Sequence, residues 1–541
     1  MQISGNLVDV VAETIRPVTL TIAQGRIVEI TSVANLPAGS PYIMPGFIDS
    51  HIHIESTLLP PHRFAPLALA QGTVAVVTDP HEITNVTGLE GINYMLQSAQ
   101  QTPLHFSFGI PSCVPSTTFE TSGFTLTAQH VRQLLQDPRF YGLAEMMNYP
   151  GVLFNDPVVM DKISAALQCG KIVDGHAPSL TGEDARRYIS AGITTDHETF
   201  DLSQAQERIR MGMKILIREG SAARNFNALA PLLAEDRNKG MVMFCTDDIY
   251  PDSLQEGHIN TLVARAVADG FPLWNVLHAA CVAPVRHYSL PTGLLQQGDS
   301  ADFILVDDLT GFHVQQTYIG GNPQLPYSAS DAVELPLTNN FHTIPISPDQ
   351  LRVPAEPGKL KVILSQEEQL YTQQLLVEPK VLNNYVVSDP ENDILKLVVY
   401  NRYQIAPPSI GFIKGFGLKS GAMASTIAHD SHNIIALGVD DASIARAINN
   451  LVASQGGLSI VSSAEETTLP LPVAGLMADQ PGEVVAEAHR RLRLAASRQG
   501  CPYAAPFMTL AFMALPVIPE LKLTDLGLFD GMRFAPTSLF Q

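Results

Sequence analysis

Histidine and carboxylate residues follow several strand-like segments of this sequence with a spacing that suits metal binding. His51 and His53 flank a single residue, so the two-residue repeat of a strand places both imidazoles on the same side. Four further candidates each close a separate apolar segment: Glu145, His176, His197 and Asp247. Four imidazoles, a carboxylate that can bridge and a terminal aspartate suffice for two divalent cations. The sequence therefore predicts a binuclear metal centre that activates water for hydrolysis.

Eight apolar segments that end in polar or ionisable residues supply these candidates and their neighbours. They are IMPGFIDSHIH, TVAVVTDPHE, LHFSFGIP, YGLAEM, KIVDGH, GITTDHE, MKILIREGS and MVMFCTDD. Helix-compatible stretches separate several of them, including 184–190 and 203–211, as in parallel strand–helix units. We therefore expect an α/β fold with a (β/α)8 TIM-like barrel over residues 44–291, whose catalytic groups lie at the carboxyl ends of its strands.

Segments on both sides of this barrel predict further units. Alternating apolar residues over 1–43 and a second strand signal over 292–320 predict one small composite β-sandwich domain. Residues 321–358 are rich in Pro, Asn and Ser, which predicts a linker or wrapping segment. Strand and helix signals return over 359–541, where we expect a C-terminal α/β domain.

Composition argues against several other classes of function. The 541 residues carry a formal net charge of −20, which disfavours nucleic acid and favours a small neutral or cationic substrate. Five separated cysteines without a CxxC pair, and a start without a secretory pattern, predict a cytoplasmic protein. The apolar stretch 507–519 is shorter than the ~20 residues of a membrane span, so no membrane association is expected. Base rates for large enzymes favour a homo-oligomer such as a dimer.

One segment, PGFIDSHIHIES, resembles the first-strand signature of the amidohydrolase superfamily, and residues 44–310 follow that superfamily's order of metal ligands. Within it, DPHEITNVTG, GLAEMMNYPG, DGHAP, REGSAARN and AHDSHNIIALG are similar to segments of the adenine deaminases. This resemblance extends over nearly the whole chain. It implies hydrolysis of adenine to hypoxanthine and ammonia in purine salvage, a carbon–nitrogen bond cleavage in a cyclic amidine by a metal-activated hydroxide.

The same resemblance implies roles for individual residues. The metal ligands would be His51, His53, Glu145, His176, His197 and Asp247. Glu145 would bridge two ions where many superfamily members use a carboxylated lysine. The implied metals are Mn(II) or Fe(II), with Zn(II) also compatible with ligands that include no thiolate. Asp247 would accept the proton of the attacking water and relay it towards the departing amine.

Other residues are expected to act around these ligands. Glu219 and Ser221, in IREGS, and Asp248 are expected to contact the purine, with Glu219 also a catalytic candidate. His81 and Glu82 close the second strand and are expected to support the metal ligands or carry protons. A capped helix start at His81 and Glu82, and ordinary strand-end polarity at the other positions, are the alternatives.

Two places depart from the superfamily pattern. Ser179 stands where related deaminases often place a glutamate that protonates the ring, so another group must serve. Ile249 and Tyr250 stand where a basic residue and a histidine are usual, which leaves the substrate contacts of this loop open.

The motif AHDSHN, late in the sequence, supplies three further candidate residues. His429, Asp430 and His432, in AHDSHN, are expected to close over the barrel mouth or to support a dimer, with a solvated loop as the alternative. A cyclic-amide hydrolase of the dihydropyrimidinase or hydantoinase type is the alternative activity. A non-enzymatic assembly protein is the alternative from another class, and it would be expected to lack metal ligands.

Overall fold

One seven-stranded sheet combines strands from before and after the central part of the chain. The computed structural model describes residues 1–178, 180–324, 335–336, 339–367 and 369–541. The strands of this sheet are, in spatial order, Asn322–Pro323, Val314–Ile319, Phe303–Val306, Tyr42–Pro45, Gln2–Asp9, Thr14–Ala23 and Arg26–Ser32. Phe303–Val306 pairs antiparallel with Tyr42–Pro45, which joins the two segments. A single sheet is therefore described where a β-sandwich was predicted.

Eight parallel strands surround the candidate ligands, and each lies within one of the eight predicted segments, apart from Phe140, which begins its strand one residue before the segment. They are Phe47–Ile52, Thr73–Thr78, His105–Ile110, Phe140–Met146, Ile172–Gly175, Thr195–Asp196, Lys214–Arg218 and Val242–Cys245. The first five form one sheet and the last three another. Parallel bridges pair Val173 with Ile193 and Ile52 with Asp247, and these connect the two sheets. The result is a curled parallel sheet whose carboxyl ends meet on one side.

Helices connect and cover these strands. They are Pro61–Ala70, His81–Thr87, Leu89–Ala99, Ala128–Leu134, Tyr149–Leu153, Pro157–Gln168, Gly182–Ser190, Leu202–Arg210, Phe226–Leu229, Pro251–Glu256, Ile259–Ala268, Leu273–Leu277 and Ala283–Tyr288. Gly182–Ser190 and Leu202–Arg210 contain most of the two predicted helical stretches. Every residue of Thr73–Thr78 is buried, as expected for a parallel strand that is covered on both faces.

A mixed eight-stranded sheet forms the C-terminal part. Its strands are, in spatial order, Gln373–Val377, Leu360–Leu364, Ser409–Lys414, Ile394–Tyr400, Ile434–Gly438, Ala422–Ser425, Gly457–Val461 and Glu466–Pro470. Two small sheets accompany it, formed by Val353–Pro354, Tyr385–Val386 and Val381–Leu382, and by Leu521–Thr524, Gly527–Asp530 and Ala535–Pro536. The helices are Asp441–Ser454, Gly482–Arg498 and Pro506–Ala511.

Contacts fix the C-terminal part against the central part of the chain. Helix Gly482–Arg498 packs against helix Pro251–Glu256. At this contact the buried Nδ1 of His489 lies 2.8 Å from Oδ1 of Asp252. The amide of Ala478 also donates a hydrogen bond of 2.8 Å to the carbonyl of Leu58. The C-terminal part can therefore contribute side chains near the strand ends.

The predicted linker, 321–358, is described only in part, since 325–334 and 337–338 lie outside the described residues. Its described part contains the 3-10 helix Pro348–Leu351. Across the portions of the chain that the structure describes, no helix has both the length and the apolar character that crossing a membrane requires.

Candidate metal centre

The six predicted metal ligands lie together at the carboxyl ends of five parallel strands, and all six are buried. His51 is within strand Phe47–Ile52 and His53 follows it. Glu145 lies near the end of Phe140–Met146. His176, His197 and Asp247 follow the strands Ile172–Gly175, Thr195–Asp196 and Val242–Cys245. Adjacent strand ends thus bring residues separated by almost 200 positions into one cluster.

Glu145 occupies the centre of this cluster. Its Oε1 lies 3.8 Å from Nε2 of His51 and 3.2 Å from Nε2 of His53. Its Oε2 lies 2.9 Å from Nδ1 of His176 and 3.3 Å from Nε2 of His197. Each carboxylate oxygen therefore faces its own pair of imidazoles, which is the arrangement that a bridging ligand between two cations requires.

Asp247 lies beside the first two histidines, His51 and His53. Its Oδ1 lies 3.1 Å from Nε2 of His53 and 3.5 Å from Nε2 of His51. The backbone of Asp247 has a φ of 59°, a left-handed conformation that costs on the order of 1–3 kcal/mol in a residue other than glycine. Two backbone hydrogen bonds hold it there, from its amide to the His51 carbonyl and from the His53 amide to its own carbonyl.

The donors of this cluster fit divalent metal ions. Histidine nitrogens and carboxylate oxygens within 4.8 Å of one another form several possible ligand sets, including Glu145 with His176 and His197. Nε2 of His51 and Nε2 of His176 are buried without a hydrogen-bond partner. A buried polar atom without a partner is costly, and coordination of a cation would satisfy such a nitrogen.

Electrostatics keep both acidic ligands ionised. Although burial opposes its charge, His176 and His197 hold the pKa of Glu145 well below the usual range. Burial also opposes the charge of Asp247, but the Arg218 guanidinium and His197 hold the pKa of that carboxyl well below its usual range. Both groups are therefore carboxylates at neutral pH, the form that binds a metal ion.

Arg218 and Glu198 belong to this centre and were missed by the sequence analysis. The fully buried guanidinium of Arg218 contacts Oδ2 of Asp247 and Oε1 of Glu198. Glu198 Oε1 in turn lies 3.6 Å from Nε2 of His197. The available signal was an arginine directly after the apolar run ILI, at the carboxyl end of strand Lys214–Arg218, because a buried cation needs an anionic partner.

His81 and Glu82 lie beside the ligands, in the position expected of supporting groups. The imidazole rings of His81 and His53 are 4.5 Å apart between centroids. Nδ1 of His81 is 3.0 Å from Oδ2 of Asp79 and 3.7 Å from Oε1 of Glu145. Both residues begin the helix His81–Thr87, and both line the cavity that adjoins the centre.

The C-terminal part forms the opposite wall of this cavity. The residues that it contributes are Leu370, His429, Asp430, Phe512, Leu515 and Ile518. Four of them are apolar, and the rings of His429 and Phe512 stack at 4.5 Å between centroids. The AHDSHN motif therefore lies at the mouth of the curled sheet, buried rather than in a solvated loop.

The residues predicted to contact the purine do not all come together. Asp248 lines the cavity, and the hydroxyl of Ser56 donates to its Oδ1. Glu219 instead lines a separate cavity, where its Oε2 lies 3.1 Å from Nη1 of Arg265. Ser221 lies outside the first cavity too, and its Oγ accepts a hydrogen bond from the amide of Tyr250. Glu219 and Ser221 are therefore not brought to the metal ligands.

The loop after Asp248 departs from the superfamily pattern at Ile249 and Tyr250. Tyr250 packs its ring on His489 at 4.0 Å between centroids and is buried with Ile249. Tyr250 therefore supports the contact with helix Gly482–Arg498, and Ile249 lines the separate cavity that contains Glu219. Ser179 lies outside the described residues.

Comparisons with known proteins cover almost the entire chain. Residues 42–324 match the amidohydrolase family, and residues 369–535 match the adenine deaminase C-terminal domain. An adenine deaminase of Salinibacter ruber is 48% identical over 541 residues, which covers 98% of this chain and 97% of that protein. One of Methanosarcina acetivorans is 48% identical over 551 residues, covering 99% of each.

A comparison of structures gives a weaker similarity. An N-acetyl-D-glucosamine-6-phosphate deacetylase from Mycobacterium smegmatis has a TM-score of 0.46 at 17% identity. The match covers 60% of this chain and 100% of that one. A similarity at this level supports no conclusion about activity.

Proposed function

The chain belongs to the adenine deaminase family of amidohydrolases, and we propose that it hydrolyses adenine to hypoxanthine and ammonia in the cavity beside Glu145. The identity of 48% along almost the whole length, with a buried His, Glu and Asp cluster, is the observation that carries this function. No comparable full-length observation favours a cyclic-amide hydrolase.

We propose that the six predicted ligands hold two divalent cations, with Glu145 between them. This assignment is supported by the orientation of Glu145, because each of its two carboxylate oxygens faces a different pair of histidines. When bound, the two ions lower the pKa of a water molecule and so supply the attacking nucleophile. The nitrogen and oxygen donors suit Mn(II) or Fe(II), as predicted, and are also compatible with Zn(II).

We assign the transfer of protons to Asp247. Its lowered pKa keeps it a carboxylate at neutral pH, so it can accept a proton from water and return it to the departing amine. Arg218 contacts Oδ2 of Asp247 and leaves Oδ1 directed towards His51 and His53. Arg218 is therefore a positioning residue that fixes the orientation and the charge of the base.

We propose that the C-terminal wall binds the face of the purine. Leu370, Phe512, Leu515 and Ile518 offer an apolar surface opposite the metal ligands, which suits a flat aromatic ring. Asp248 takes the place of Glu219 as the group at the ring edge. Burial and the neighbouring Asp247 raise the pKa of Asp248, which favours the protonated form that a donor to a ring nitrogen requires.

Two structural proposals accompany this function. We infer that the eight parallel strands close into a (β/α)8 barrel, which is supported by the bridges Val173–Ile193 and Ile52–Asp247. The composite N-terminal sheet and the C-terminal α/β part are proposed as separate domains around it. A homodimer and a cytoplasmic location stay predictions.

A substrate panel tests the activity directly. Ammonia release is measured from adenine and adenosine, and ring opening is measured from hydantoin and dihydrouracil. We expect turnover of adenine alone, since the family acts on the free base. Comparable turnover of adenosine would contradict the assignment, and turnover of only the cyclic amides would favour the alternative hydrolase.

A further inference from the structure

A second group of metal-binding side chains lies between the barrel and the C-terminal part, beyond the ring of His81. Its members are His81, Glu82, His429, Asp430 and His432, all at most 3% exposed. The first two begin a helix of the barrel, and the last three belong to the AHDSHN motif. None of them is among the six ligands around Glu145.

Four donor atoms of this group alternate between nitrogen and oxygen around a small space. Oε1 of Glu82 lies 2.7 Å from Nδ1 of His429 and 3.4 Å from Nε2 of His81. Oδ1 of Asp430 lies 3.8 Å from each of the same two nitrogens. Ligand atoms about 2.0–2.2 Å from a tetrahedral ion such as Zn²⁺ lie roughly 3.3–3.6 Å apart. The contacts of 3.4 and 3.8 Å are close to this spacing, and the hydrogen-bonded contact of 2.7 Å would have to lengthen on binding the ion.

The tautomer of His81 favours such a ligand. Its Nδ1 lies 3.0 Å from Oδ2 of Asp79, a carboxylate that can accept the ring proton. Nε2, which faces Glu82 and Asp430, is then left with a free lone pair. A carboxylate behind a histidine is the usual support of a metal-binding imidazole.

Hydrogen bonds within the group leave several buried atoms unsatisfied. Oδ2 of Asp430 and Nδ1 of His432 have no hydrogen-bond partner. Nε2 of His432 contacts Oε2 of Glu82, but neither atom forms a hydrogen bond of normal geometry. Within this group the two carboxylates, Glu82 and Asp430, contact only imidazoles, and if those imidazoles act as neutral ligands one divalent ion balances both carboxylate charges.

We propose that His81, Glu82, His429 and Asp430 form a third cation site, separate from the pair of sites around Glu145, for a divalent transition metal such as Zn²⁺. His432 holds the second oxygen of Glu82 and orients that ligand. Because two ligands come from the barrel and two from the C-terminal part, the ion connects these parts next to the cavity. This proposal does not depend on the substrate assignment.

Metal content tests the proposal. The full chain is stripped of metal with a chelator, reloaded with Zn²⁺ and freed of excess metal by gel filtration. The number of zinc equivalents bound per chain is then measured by mass spectrometry. We expect three equivalents in the wild type and two in Asp430→Asn, which keeps the size of the side chain but removes its charge. His429→Gln should also hold two. The control Asp349→Asn changes an exposed aspartate paired with Arg352 and should hold three.

The outcomes separate the possible explanations. Two equivalents in the wild type that Asp430→Asn does not reduce would overturn the third site. Three equivalents that neither variant reduces would mean that the third ion binds elsewhere. Glu145→Gln should lose metal from the other centre and keep the ion at Asp430, so a failure of the binuclear assignment can be recognised independently.

Discussion

Replacement of Arg218 by methionine tests the electrostatic design of the centre. Arg218→Met keeps a long apolar side chain but leaves the carboxylates of Asp247 and Glu198 buried without their cation. Removing one partner of a buried ion pair costs roughly 3–5 kcal/mol. For 541 residues the entropy of unfolding is about 1.1 kcal/mol per kelvin, so the metal-free variant should melt about 3–4 °C lower at pH 7.

The pH dependence of this loss has a definite sign. The pKa of Asp247 is lower in the folded than in the unfolded protein, where it is about 3.9. Its charged form therefore stabilises the wild type above that unfolded value, and this stabilisation is lost as pH falls through the lower folded pKa. In the variant the buried carboxylates take up protons more readily, so the difference in melting temperature should shrink from pH 7 towards pH 4.

The matched control replaces another arginine, whose ion pair is partly exposed to solvent. Arg265→Met breaks the partly exposed pair with Glu219 and should cost at most about 1 kcal/mol. Melting is followed by scanning fluorimetry in the presence of chelator. The reasoning would be refuted if Arg218→Met melted like the wild type at pH 7, or if its deficit were the same at pH 4.

Three further substitutions test individual assignments. Glu145→Gln should lose about one metal equivalent and reduce adenine turnover by orders of magnitude, because a neutral amide bridges two cations poorly; normal metal content and turnover would contradict the bridge. Glu219→Gln should keep kcat/KM for adenine within about two-fold, as its carboxylate faces Arg265, whereas a large loss would return Glu219 to the site. Asp248→Ala should lower kcat/KM for adenine by about ten-fold or more, and Asp248→Asn, which keeps a donor, by less; equal losses would argue against a donor role.

The sequence was sufficient to predict that the six candidate ligands lie together, because of how parallel strands are arranged. Each of the eight apolar segments contains a parallel strand, and the carboxyl ends of such strands lie at one edge. A histidine or carboxylate at the end of a segment, such as Glu145 or His176, therefore marks the same edge without knowledge of the distances. The two-residue repeat also placed His51 and His53 together.

The position of Glu219 away from the metal ligands follows from the same strand geometry. Along the strand Lys214–Arg218, Ile215 and Ile217 pack with residues of outer helices, whereas Arg218 contacts Asp247 among the metal ligands. The repeat of two then directs Arg218 inward and the following Glu219 outward. Proximity to a strand end alone does not place a residue at the site, because the side to which its side chain points decides what it contacts.

The sequence predicted a C-terminal contribution at the barrel mouth as one of two alternatives, but not which residues of the barrel it would contact. Asp430 lies more than 340 positions after Glu82 in the chain, and no periodicity relates the two segments. Their contact depends on the packing of whole units, including helix Gly482–Arg498 against Pro251–Glu256. The AHDSHN motif was expected at the barrel mouth or at a dimer contact, and its sequence did not decide between the two; the structure places it at the mouth.

Anomalous diffraction from crystals of the manganese-reconstituted protein tests the central claim most directly. The account predicts two manganese peaks on either side of the Glu145 carboxylate, one beside His51 and His53 and the other beside His176 and His197. A single peak in this cluster, or two peaks that do not share Glu145, would contradict it.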